Sequence, residues 1–76
     1  MTAPETALAE IALIDKLTED EGHYVTIPCA NPDFDGPAFV VDAFGDWTNW
    51  EEMRFDGDTR IEALQAAVLA MEIRKS

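Results

Sequence analysis

The side chains in this chain with chemistry to offer are carboxylates. Asp33, Asp35, Asp42, Asp46, Glu51, Glu52, Asp56 and Asp58 follow one another through its middle, with Arg54 the only base among them. Acidic side chains do three kinds of work: proton transfer, cation binding and charge recognition. Proton transfer by a pair such as Asp33/Asp35 or Glu51/Glu52 needs a pocket that drives two pKa values apart, and a chain of 76 residues has little volume for one. Serine occurs only as Ser76, and there is no Gly-rich phosphate loop and no nucleophile–base constellation. A non-enzymatic protein without catalytic residues is expected. For cation binding, Asn31-x-Asp33-x-Asp35-Gly36 follows the first half of a calcium loop, with Asp42 at its twelfth position. Asn at position one, Asp at position twelve and prolines at positions two and seven depart from that pattern, and the flanks read as strands where helices are required. His23 and Cys29 are the only residues of their types, too few for a zinc site. No metal and no cofactor are therefore expected, with a calcium-binding domain as the lesser alternative.

Charge recognition remains. Sixteen acids against five bases give a net charge of −11 and a pI near 4.1. Such a chain is repelled by nucleic-acid phosphates and by anionic membranes and is attracted to basic surfaces. The charge is also segregated: Glu19 to Asp58 holds eleven acids and one Arg, whereas Arg60, Arg74 and Lys75 fall in the last segment. The plain alternative is acidity for solubility alone. Trp47, Trp50 and Phe44 lie among the acids and suit the role of anchors in a binding surface. Equally, Trp50 and Trp47 could close one end of a small core, given the area a Trp buries.

The elements that must hold these residues follow from spacing. Leu8, Ile11, Ala12, Ile14 and Leu17, widened by Leu13, make a helical stripe, opened by a capping box from Thr2 to Glu5 and closed near Gly22. Lys16 is expected to pair locally with Glu19 or Asp20. His23 to Cys29 alternates as a strand, with Val25, Ile27 and Cys29 on its inner side and Pro28 at its end. Asn31 to Pro37 is a loop, with two prolines and a glycine in seven residues. Phe39–Phe44 and Trp50–Asp56 read as a hairpin around Gly45–Asn49, with Phe39, Val41, Ala43, Met53 and Phe55 inward. Thr59-Arg60-Ile61-Glu62 is a second capping box. It opens a helix whose stripe is Ile61, Leu64, Ala67, Val68 and Met71, widened by Leu69 and Ile73. The predicted fold is one α+β domain over residues 1–76. In the order α-β-β-β-α, it has a three-stranded antiparallel sheet and N- and C-terminal helices packed on one face. The amino terminus lacks the basic region of a signal peptide and no apolar run could cross a bilayer. With a single Cys29, the expected location is a reducing cytoplasm.

Asn31-Pro32-Asp33-Phe34, followed by Gly36, Phe39, Val41 and Ala43, resembles a segment of small acidic anti-CRISPR proteins. These are phage-encoded inhibitors of type I CRISPR–Cas surveillance complexes. The chain as a whole is similar in size, acidity and α+β character to the short type I-C inhibitors. Several inhibitors of this kind imitate DNA, placing carboxylates on the basic surface that would take target DNA or its protospacer-adjacent motif. The resemblance implies that role for Asp33, Asp35, Asp42, Asp46, Glu51, Glu52, Asp56 and Asp58, each opposite a Lys or Arg. Trp47 and Arg54 complete the expected contact surface. The implied partner is a basic backbone or motif-reading subunit of the complex in the host bacterial cytoplasm, engaged by a monomer. The alternative is another small acidic interaction module, antitoxin-like or regulatory.

Overall fold

The computed structural model describes residues 3–32 and 35–75. Helix α1 (Ala3–Leu17) leads into strands β1 (Tyr24–Val25), β2 (Cys29–Ala30) and β3 (Phe39–Phe44). One turn of 3-10 helix (Asp46–Thr48), β4 (Met53–Gly57) and α2 (Arg60–Lys75) follow. The fold is α+β, an antiparallel sheet between an N-terminal and a C-terminal helix, as predicted. No described helix is long and apolar enough to cross a membrane. The Thr2–Glu5 capping box lies outside the residues whose side chains are described.

Strand β3 is central. Strand β4 pairs along one edge of it, from Phe39↔Gly57 to Ala43↔Met53. The other edge takes β1 (Tyr24↔Phe44, Val25↔Ala43) and then β2 (Cys29↔Val40, Ala30↔Phe39). Thr26, Ile27 and Pro28 thus face only Val41 and Asp42, so the expected first strand is broken by a bulge. Pro28 has no N–H for the ladder. Thr26 restores part of it: its N–H donates to the Asp42 carbonyl (2.8 Å), and its Oγ1 accepts the Asp42 N–H (2.8 Å). One extra residue reverses every side chain beyond it. Ile27 and Cys29, expected inside, are exposed, and Pro28 is buried.

The hairpin also departs from expectation. Strand β4 begins at Met53, not Trp50, so the connection spans residues 45–52. Asn49 and Trp50 are both left-handed (φ 59° and 61°), a conformation no strand accommodates.

The core joins the inner faces of β3 and α2. Val41, Ala43, Ala63, Leu64 and Ala67 are fully buried, with Leu17, Trp47, Val68 and Met71 around them. Alanines at 63 and 67 let α2 approach the sheet closely, and Gly57 completes that approach: a Cβ there would run into the Ala63 nitrogen. Thr59 caps α2 by accepting the Glu62 N–H (3.1 Å), while Glu62 reaches back to the Asp58 N–H (3.1 Å).

Helix α1 buries less than its stripe promised. Leu13, Ile14 and Leu17 pack inward, but Leu8 (66%) and Ile11 (53%) are exposed, as are Leu69 (60%) and Ile73 (65%) on α2. Helix α1 lies along α2, pinned by Glu10–Arg60, Lys16–Glu72 and Asp20–Lys75, each at 2.7 Å. Lys16 therefore pairs across helices, not within its own. Gly22 (φ 82°) does not end the helix. It sits in a turn that His23 closes by donating its N–H to the Asp20 carbonyl (3.2 Å).

Gly57→Ala must displace the first turn of α2, and should lower stability by about 1–3 kcal/mol in urea unfolding. The interhelical pairs give a pH test. The hydrogen bond to Glu72, then the charge of Glu72, raises Lys16 above 10.5. The bond to Asp20 raises Lys75 in the same way. Groups raised on folding contribute fully below 10.5 and lose that contribution as pH climbs through the folded value. Amide exchange in α1 should accelerate above that pH, and less so in a Lys16→Met, Lys75→Met double variant.

Candidate partner-binding face

With the helices covering one side of the sheet, the other side is left to polar and aromatic residues. Along β3 the outward positions are Val40, Asp42 and Phe44. Val40, between Cys29 and Asp56 in the ladder, is only 4% exposed. Asp42 holds Arg54 in a fork, with Nε to Oδ1 at 3.0 Å and Nη2 to Oδ2 at 3.4 Å. Phe44 stacks on Tyr24 (centroids 4.9 Å, planes 11° apart) and meets the edge of Trp50 at 5.6 Å. The Tyr24 hydroxyl donates to Glu52 Oε2 (2.7 Å), which holds the phenol above its ordinary 10.0. Asp56 completes the face on β4, exposed.

The hairpin tip is organised by His23, a residue that its spacing in the sequence does not single out. The His23 side chain is 4% exposed, and its Nε2 accepts the Asp46 N–H (3.2 Å). Asp46 Oδ1 lies 3.4 Å from the same nitrogen. One nitrogen cannot accept from the amide and donate to the carboxylate together, and the shorter contact is the amide's. The imidazole fills the space a side chain at position 45 would need: a Cβ on Gly45 would lie 2.6 Å from Nδ1. Thr48 Oγ1 then closes the 3-10 turn, donating to the Gly45 carbonyl (2.8 Å) and accepting the Gly45 N–H (3.1 Å).

The predicted site residues divide accordingly. Asp42, Glu52, Arg54 and Asp56 come together on the open face. Asp46 and Glu51 lie at the hairpin tip, exposed; Asp35 and Asp58 lie at the opposite end of the strands, also exposed. Asp33 is outside the described residues. Trp47 is a correction: at 6% exposure it belongs to the core, against Phe55 at 5.9 Å, and offers no surface to a partner. Trp50, 53% exposed, is the aromatic the tip displays. Asp42 and Arg54 neutralise each other, so the carboxylates presented outward flank the centre of the face.

The calcium pattern does not form its frame. Its loop runs between β2 and β3, the Asn31 side-chain amide donates to the Pro37 carbonyl (2.7 Å), and Asp42 turns to Arg54. Among the described residues no group of three or more His, Cys, Asp or Glu side chains could hold a metal ion, and no pocket opens.

All five bases are engaged inside the molecule. Lys16, Arg54, Arg60 and Lys75 hold Glu72, Asp42, Glu10 and Asp20, and Arg74 donates to the Trp47 carbonyl (3.2 Å). Of the fourteen acids whose side chains are described, ten are left without a basic partner of this set (14 − 4), so most of the carboxylates are free to meet solvent or a partner. Compared with known proteins, the chain matches no family model, no curated protein and no solved structure. Its function therefore rests on the chemistry of the face itself.

The two tryptophans give a direct test. Acrylamide should quench Trp50 and spare Trp47, so Trp50→Phe should abolish most quenching. The Trp47 indole N–H is buried without an acceptor among the described residues. Trp47→Phe removes that orphan donor and should cost within about 1.5 kcal/mol. Trp47→Ala should cost about 3–5 kcal/mol in denaturant unfolding.

Proposed function

We propose that this protein is a non-enzymatic inhibitor whose acidic, aromatic sheet face occupies the basic nucleic-acid-binding surface of a partner protein. The observation that carries the reading is the division of charge. Every base is turned to a structural task, and Asp35, Asp46, Glu51 and Asp58 are exposed at the two ends of one open sheet, with Asp56 exposed beside the Asp42–Arg54 pair. Carboxylates so presented act as phosphate substitutes toward Lys and Arg, and a dense acidic field speeds encounter with a basic groove. The likeness of the Asn31–Ala43 stretch to anti-CRISPR proteins makes a type I surveillance complex the first partner to test. That proposal carries with it a bacterial cytoplasmic location and competition with target DNA.

The experiment offers labelled target DNA to a purified type I-C complex, with and without this protein, at low and high salt. DNA binding should be lost at low salt and partly restored at high salt. A triple variant, Asp35→Lys, Glu51→Lys and Asp56→Lys, should stay folded and weaken inhibition at least about tenfold, mainly through slower association. These positions serve better than Asp42 and Glu52, whose carboxylates are bonded to Arg54 and Tyr24. Inhibition that survives the triple variant would rule out the acidic-face mechanism. Unchanged DNA binding, with capture of a different basic partner, would favour the antitoxin-like or regulatory reading.

A further inference from the structure

Trp50 is an anomaly in three respects. It is a bulky residue in the left-handed region (φ 61°), a conformation that an aromatic side chain adopts only under strain. It is 53% exposed, although the indole is large and apolar. It is also held firmly. Its N–H donates to the Gly45 carbonyl (3.0 Å), its ring meets His23 and Phe44 edge-on at 5.6 Å each, and a Cβ on Gly22 would touch its Cζ3 at 3.5 Å. A strained, exposed and immobilised aromatic is a preorganised contact surface, because little side-chain freedom is left to lose on binding.

Its surroundings say what it would contact. Trp50 continues the row formed by Tyr24 and Phe44, and carboxylates lie along it: Glu52 on the Tyr24 hydroxyl, Glu51 next to Trp50 in the chain, and Asp46 one residue further out, on the His23 that Trp50 meets edge-on. An aromatic shelf edged by carboxylates suits a planar cation that stacks on one and donates in a fork to the other. Arginine has both properties, whereas lysine is a compact, strongly hydrated point charge. Nucleobases could also stack, but their phosphates would meet a chain of net charge −11. A second copy is disfavoured by the same charge, and Arg54 on this face is already held by Asp42. We infer that the Tyr24–Phe44–Trp50 row is an arginine-binding shelf, selecting partner surfaces that present arginine over those that present lysine. This deepens the basic-partner reading and rests on it.

The test uses octa-arginine and octa-lysine peptides as probes, titrated calorimetrically into the wild type, Trp50→Leu, Trp50→Ala and the triple charge-reversal variant at low salt. Amide spectra establish that each variant keeps the sheet. The wild type should bind octa-arginine about three- to tenfold more tightly than octa-lysine. Both Trp50 variants should lose that preference while keeping octa-lysine affinity within about twofold, since leucine keeps apolar bulk without a π-face. Charge reversal should weaken both peptides alike. Equal affinities in the wild type, or a preference that survives both Trp50 variants, overturns the shelf while leaving the acidic face standing. Failure of both peptides to bind overturns the two together.

Discussion

The close seating of α2 on the β3–β4 hairpin is the contact on which the rest depends. Val41 and Ala43 from the sheet meet Ala63, Leu64 and Ala67 from the helix with no exposure on either side. Small residues make the approach possible and large ones around the rim make it favourable: Leu17, Trp47, Val68 and Met71 close its edges. Burial at this density resists replacement, since a cavity or an added methyl group is felt at once. Gly57 belongs to the same contact, because the chain turns into α2 where no Cβ can stand.

Everything else is attached to that seam. Helix α1 lends Leu13, Ile14 and Leu17 and is steadied along α2 by ion pairs at Glu10, Lys16 and Asp20. Exposed pairs contribute little each, so α1 is held chiefly by Leu13, Ile14 and the fully buried Leu17, with the ion pairs setting its alignment along α2. The hairpin tip is tied to the same framework through Arg74, which bonds the Trp47 carbonyl, and through His23, which bonds the Asp46 amide. Assigning every base to such a task has a consequence for the surface: the open sheet face keeps its acids uncompensated at both ends. Stability and surface charge are thus coupled: of the few bases, Lys16, Arg60 and Lys75 hold α1 to α2, Arg74 holds the hairpin tip, and Arg54 bridges β4 to β3.

Part of the candidate face is legible in the amino-acid sequence. Alternation places Asp42, Phe44, Glu52, Arg54 and Asp56 outward, and the sheet keeps them there. Composition alone gives the excess of acids over bases. Three features are not legible. The Asp42–Arg54 fork depends on two strands meeting in register. The choice of Trp50 over Trp47 as the exposed indole depends on the left-handed residues Asn49 and Trp50, for which the sequence carries no glycine signal. The role of His23 depends on the space above Gly45, a neighbour twenty-two positions away (45 − 23). Asp35 and Asp58 are exposed, yet they lie across the sheet from Asp46 and Glu51, so the predicted acids form no single cluster.

By itself the sequence determined what is local. Thr59 and Glu62 start α2, Ala63, Leu64, Ala67, Val68 and Met71 give it one buried stripe, and strict alternation turns Val41, Ala43 and Phe55 inward. Caps and periodicity act within a few residues, so they can be read without knowing what lies opposite. Tertiary structure alone decided which apolar residues were used. Leu8, Ile11, Ile27, Leu69 and Ile73 are as apolar as those inside, and the short sheet and a single helix flank had no area left to cover them. It also decided the bulge at Thr26–Pro28 that turns Cys29 outward, because a one-residue slip is fixed by the partner strand and not by the slipping strand's own pattern.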